Sequence, residues 1–153
     1  MQRRLLLKGS LIGGQIALLG GAGLLLPTRV RADWPADAFY AEHLHQAISV
    51  LTDNAPVTSS GSVVLEAEDI AENGAIVPVT VRSRLPGTRA LFLFSEKNPS
   101  PAVAQFHLSP RVEPLVRTRI KMAESGKVIA IVKADGGYFS ATKHIRVTAG
   151  GCA

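Results

Sequence analysis

The apolar positions of this chain follow three successive patterns. Residues 5–26 form a nearly continuous apolar stretch, diluted by six glycines and interrupted by Lys8, Ser10 and Gln15. Residues 37–51 place Phe39, Leu44, Ala47, Ile48 and Leu51 in an approximate stripe of helical period, which predicts one amphipathic helix. Pro35 suits its first turn, and Asp53-Asn54 followed by Pro56 ends it. VTSSGS (57–62) then reads as a polar linker rich in turn formers.

From Val63 onward the period shortens to that of strands. β-rich runs recur at intervals of roughly ten residues: SVVLEA (62–67), AIVPVTVR (75–82), RALFLFSE (89–96), VAQFHL (103–108), VRTRIKMA (116–123), KVIAIVKA (127–134) and YFSATKHIRVTA (138–149). Turn signals separate them at ENG (72–74), LPG (85–87), NPSP (98–101), SP (109–110), SG (125–126) and DGG (135–137). Short strands at this spacing predict an all-β sandwich. Ile120 and Met122 fall on one face of their strand, Arg119 and Lys121 on the other. Asp135-Gly136-Gly137 suits a hairpin connection. Pro78 has no backbone donor, so its strand is expected at a sheet edge or bulged there. No internal repeat or low-complexity tract is evident.

Charge changes the picture of the first segment. The formal net charge is +5, with 17 Lys and Arg against 12 Asp and Glu. Five of those cations (Arg3, Arg4, Lys8, Arg29, Arg31) lie in residues 1–32, which hold no acidic residue, so the remainder is near neutral. The basic character therefore belongs to a leader and not to a nucleic-acid surface. An aromatic content of 5%, with no aromatics interleaved among cations, likewise argues against a nucleic-acid platform. Arg3-Arg4 ahead of an apolar stretch, with Val30-Arg31-Ala32 as a small-residue cleavage site, predicts a signal peptide of twin-arginine type over residues 1–32. The polar interruptions and the glycines weigh against the alternative of a membrane anchor. The expected mature chain starts at Asp33 in the periplasm, without stable membrane association after cleavage. Its one cysteine has no intramolecular disulfide partner.

The resulting organisation is a leader (1–32), a helix and linker (33–60), a β-sandwich (61–148) and a mobile tail (149–153). Candidate chemistry in the body is sparse. His43 and His45 stand two apart on the predicted helix and face different ways, while His107 and His144 sit on separate strands. No spacing completes a metal site, so no metal or cofactor is expected. Glu66, Glu68, Asp69 and Glu72 flank a strand end and turn, as a solvated face does. Nucleophile-elbow, metalloprotease and phosphate-loop motifs are missing, and no catalytic residue is assigned. The tail is different. Gly150 and Gly151 free the backbone around Cys152, and residues 149–153 span roughly 15 Å when extended. A thiol on so thin a tether can enter another protein's cleft. With no adjacent base or helix N-terminus, it is a passive attachment point that needs a partner to activate it.

Five blocks carry a resemblance to a known family: EDIAENGAIVPVTVRSRLPG (68–87), LFLFSEKNPSPAVAQFHLSP (91–110), TRIKMAES (118–125), VIAIVKADGGYFSATKHIRVT (128–148) and the closing GGC. Together they resemble SoxY, the sulfur-carrier subunit of the periplasmic thiosulfate-oxidising Sox system. The resemblance implies an immunoglobulin-like sandwich and thiosulfate-derived intermediates held covalently on Cys152, with Gly150 and Gly151 slim enough for a narrow channel. It also implies a heterodimer with a SoxZ-like subunit. The visiting enzymes would be a SoxXA-like haem enzyme, a SoxB-like hydrolase and, in some systems, a sulfane dehydrogenase. The carrier itself is then not an enzyme. The family usually closes with two further glycines where this chain has Ala153, so the terminal carboxylate is expected nearer the thiol, disfavouring the thiolate. The competing expectation is a structural or interaction sandwich whose Cys152 only makes an interchain disulfide. A small redox or metal enzyme using the histidines with Cys152 is a third.

Overall fold

The computed structural model describes residues 35–149. The expected leader and Gly150, Gly151 and Cys152 lie outside the described residues. In chain order the elements are α1 (Ala36–Phe39), α2 (Leu44–Leu51), β1 (Val57–Ser59), β2 (Val63–Ala67), β3 (Ile70–Ala71), β4 (Val77–Ser83), β5 (Ala90–Ser95), β6 (Ala102–His107), β7 (Leu115–Ile120), β8 (Gly126–Ala134) and β9 (Gly137–Val147).

Two sheets form the sandwich. The larger runs β1-β9-β8-β5-β6, with β3 also paired to β9, and the smaller runs β2-β4-β7. Leu91 and Leu93 of β5 and Val128, Ala130 and Val132 of β8 point inward, meeting Val77, Val79 and Val81 of β4 in one core. Each such large side chain, fully buried, contributes about 1.5–3 kcal/mol. All six residues of β5 are buried, which requires cover on both faces of the strand. The second cover is helical: Ala38, Ala41, Ala47 and Leu51 pack with Ala90, Phe92, Phe94, Ile131 and Tyr138.

The helical segment departs from the expected single helix. Its first turn ends at Tyr40, and His43 is extended before α2 begins. At 100° per residue an unbroken helix would aim Ala38 and Ala47 in opposite directions, yet both are completely buried against the sheet. The break realigns them. Pro35 precedes α1, and its carbonyl accepts from the amides of Ala38 and Phe39. Ser100 Oγ donates to the Phe39 carbonyl and ties α1 to the β5–β6 loop. As expected, α2 stops ahead of Asp53 and Asn54, which take the left-handed conformation at φ 53° and 59°.

Two strands lie where the sequence predicted none. The linker contains β1, which pairs parallel to the start of β9, and the acidic turn contains β3, which pairs parallel to its end. Pro78 is a further correction, since β4 is the middle strand of its sheet and not an edge. The β2 ladder stops at Ala67 opposite Val79, so Pro78 lies one residue past it and the absent donor interrupts no β2 pairing. The β8–β9 hairpin forms as expected. Ala134 pairs with Gly137 across Asp135-Gly136, and Gly136 takes φ +90°, which favours a residue without Cβ.

Candidate functional site

The anticipated attachment point, Cys152, stands three residues beyond Ala149, so the described part of the site is the root of its tail. That root is the end of β9. Ile145 is fully buried in the sandwich core, which fixes the strand against sliding. Beyond it the backbone is held from two sides.

On one side stands β3 and the turn that follows. The Arg146 amide donates to the Asp69 carbonyl at 2.9 Å, and the Thr148 amide to the Ala71 carbonyl at 3.0 Å. Thr148 Oγ1 also donates to the Glu72 carbonyl at 3.1 Å. The Gly74 amide then donates to the Ala149 carbonyl at 2.8 Å, while the Gly74 carbonyl accepts from the amide of Met122, just past the end of β7. Gly74 thereby joins the root to the smaller sheet. Asn73 shapes this turn locally, because its side-chain oxygen accepts from the Ala75 amide at 2.8 Å. On the other side, Ser125 Oγ accepts from the Val147 amide at 2.8 Å.

The surroundings of the root are acidic. Asp69 pairs with Lys143 at 2.9 Å, and Glu68 and Glu72 are exposed without an ion pair among the described residues. Glu66, grouped with them in the sequence, is exposed on β2 opposite Thr80. The solvated reading of these carboxylates holds, but Asp69 and Glu72 also lend their backbones to the root. Sequence reasoning missed that role. Its only signal is that the alternation of the last strand continues to Thr148, past where a hairpin partner is available.

Charge perturbation lies elsewhere. Lys133 Nζ stands 5.2 Å from the Tyr138 ring centroid. Its pKa is raised, chiefly by hydrogen bonding to the Tyr138 hydroxyl and by the charge of that group when ionised. Tyr138 is the second residue of β9 and Val147 the last, so this pair is about 30 Å from the tail root at strand rise. The histidines do not converge. His43 and His45 are exposed at the start of α2, and His144 is exposed on β9 opposite Lys127. His107 is exposed at the end of β6, with Nε2 2.7 Å from Gln105 Nε2. Among the described residues no three His, Cys, Asp or Glu side chains cluster as metal ligands. Among the described residues the arrangement is a firmly anchored strand end.

Comparison with known proteins agrees with this architecture. The family model described as sulfur oxidation protein SoxY matches residues 47–152, ending on Cys152. The sulfur carrier protein SoxY from Chlorobium limicola f thiosulfatophilum is similar at 37% identity and TM-score 0.63, over 69% of this chain and 96% of that one. A superoxide reductase (neelaredoxin) from Ignicoccus hospitalis is similar at 23% identity and TM-score 0.50, over 56% of this chain and 79% of that one. That second likeness concerns the sandwich fold alone. None of the curated proteins matches the chain. With the family match spanning more than half the sequence and the immunoglobulin-like sandwich in place, the chain belongs to the SoxY family of sulfur-oxidation carrier proteins.

Proposed function

We propose that this protein carries thiosulfate-derived sulfur covalently on Cys152, on a tail exported to the periplasm by the twin-arginine route. The observation that carries the reading is a family match that runs through the end of β9 to Cys152. The root supports it mechanically. A thiol three residues from the hydrogen-bonded Ala149 carbonyl has a reach of about 10 Å, and Gly150 and Gly151 keep that reach slender.

The chemistry proceeds in two balanced steps. The Cys152 thiol and thiosulfate join through a new S–S bond, releasing the thiol proton and two electrons, which a SoxXA-like haem enzyme accepts. Water, under a SoxB-like hydrolase, then cleaves the bond between sulfane and sulfone sulfur, releasing sulfate and leaving a persulfide on Cys152. A sulfane dehydrogenase oxidises what remains where such an enzyme is present. With no base beside Cys152 in the sequence and carboxylates around the root, activation of the thiol is left to the visiting enzyme. A SoxZ-like subunit completes the working heterodimer in this reading.

Intact-mass measurement after incubation with thiosulfate and the haem enzyme is expected to show the thiosulfonate adduct on the wild type and none on Cys152→Ser. An adduct that persists in Cys152→Ser overturns the proposal.

A further inference from the structure

We propose that the groove lined by Ile70, Ala71, Ile76 and Pro78 beside the tail root is where an enzyme acting on Cys152 seats the mouth of its active site, a mouth with an apolar lip and a basic margin. This rests on Cys152 being the carrier thiol and adds how its enzymes recognise the carrier's body.

Reach comes first. The Ala149 carbonyl is fixed to the Gly74 amide, and the three residues to Cys152 extend about 10 Å at most. A reactive centre recessed in a cleft is reached by such a short arm only when the lip of the cleft lies on the surface that surrounds Ala149. Ala71 and Glu72, whose carbonyls hold Thr148, and Asn73 line a groove of about 480 Å³ that includes Ile70, Ile76 and Pro78. The groove and the root are one surface.

Exposure comes second. Ile70 and Ile76 remain 49% and 57% exposed, two of the five large apolar side chains that do so among the described residues. The sandwich core has no use for them. Ala71 is the β3 residue that turns inward, at 5% exposure, and strand alternation sends Ile70 outward. Two β-branched aliphatic residues sharing one open groove form a small rigid anchor of the kind that interfaces bury at their centres.

Charge selects the partner. Glu68 and Glu72 also line the groove, and neither has an ion pair among the described residues. An enzyme that admits the thiosulfate-derived anion needs positive potential at its entrance. That same potential complements the two glutamates, steering encounter and setting orientation.

Two variants test this with the haem enzyme and thiosulfate: Ile70→Ser with Ile76→Ser, and Glu68→Lys with Glu72→Lys. The expected result is that kcat/KM for adduct formation falls about tenfold or more in each, mainly through KM. The rate falls with added salt in the wild type and loses that dependence in the charge-reversed variant. Iodoacetamide, which is small and uncharged, should alkylate Cys152 at the wild-type rate in both, and thermal unfolding separates lost docking from lost fold. Should the serine variant unfold, the charge-reversed variant decides alone, its two sites being exposed. Wild-type kcat/KM in folded variants overturns the docking surface and leaves the carrier reading standing, whereas a wild type that never loads overturns the carrier reading itself.

Discussion

Ser125 Oγ accepts a hydrogen bond from the Val147 amide at 2.8 Å and returns one to the Val147 carbonyl at 3.3 Å, so one hydroxyl serves both backbone groups of a single residue at the end of β9. β8 begins at Gly126, opposite Ile145, and the hairpin ladder has no further partner for Val147 on that side. The serine supplies it. With β3 on the opposite edge, the strand is held up to the point where the tail departs.

Removing that hydroxyl leaves the partly buried Val147 amide without its acceptor. Ser125→Ala is expected to lower stability by about 1–2 kcal/mol, measured by urea denaturation. Hydrogen exchange at Val147 and Thr148 should accelerate more than at Leu93 in the core. Unchanged exchange at those two amides would mean that β3 alone holds the root.

Gly87 offers a test of the far end of the sandwich. It takes φ +63°, and a Cβ there would stand 2.1 Å from Asp135 Oδ2. That carboxylate pairs with Arg89, so it does not yield freely. Gly87→Ala is expected to destabilise by about 2–3 kcal/mol, combining left-handed strain and collision. In an Asp135→Ala background only the strain of about 1–2 kcal/mol should remain. A double-mutant cycle by chemical denaturation measures the difference, and additive costs would contradict the collision.

Lys133 makes an alkaline prediction. Its folded pKa is raised above 10.5, chiefly through the hydroxyl and then the ionised charge of Tyr138, with Asp53 adding to the rise and Arg89 opposing it. A raised value means the folded state binds the Lys133 proton more tightly than the unfolded state. The contribution is therefore complete below 10.5 and disappears as pH climbs through the higher folded value. Urea midpoints followed across this range should fall less steeply in Lys133→Met than in the wild type. Equal slopes would assign the alkaline loss to other groups.

Much of the strand architecture was legible in the chain because its causes are local. Alternation along 116–123 separated Ile120 and Met122, which are buried, from Arg119 and Lys121, which are exposed. The pair of glycines after Asp135 announced the hairpin, and Asp53-Asn54 announced the end of α2. The misses share a physical origin. β1 and β3 are three and two residues long, too short for periodicity, and both exist because β9 is long enough to offer a free edge at each end. Pro78 fits in the central strand β4 because the β2 ladder has already ended at Val79, although β7 continues alongside with Arg119 opposite Pro78, and the sequence does not show where a neighbour's ladder stops. The helix break was hidden because the sheet, not the helical stripe, decides which way Ala38 and Ala47 face.

The sequence by itself determined the fold class, the family blocks and the choice of Cys152, because alternation, turn chemistry and a cysteine behind two glycines are all written in neighbouring residues. Tertiary structure alone decided how the end of β9 is held and what stands beside it. The Glu68-to-Ile76 segment is distant in sequence, 77 and 76 residues away by the Thr148–Ala71 and Thr148–Glu72 bonds. Only the folding of β3 onto β9 brings its backbone donors and acceptors, its two exposed isoleucines and its carboxylates to the root. Long-range pairing of that kind depends on which free edge a long strand presents after the sheet has formed, and no local pattern records it.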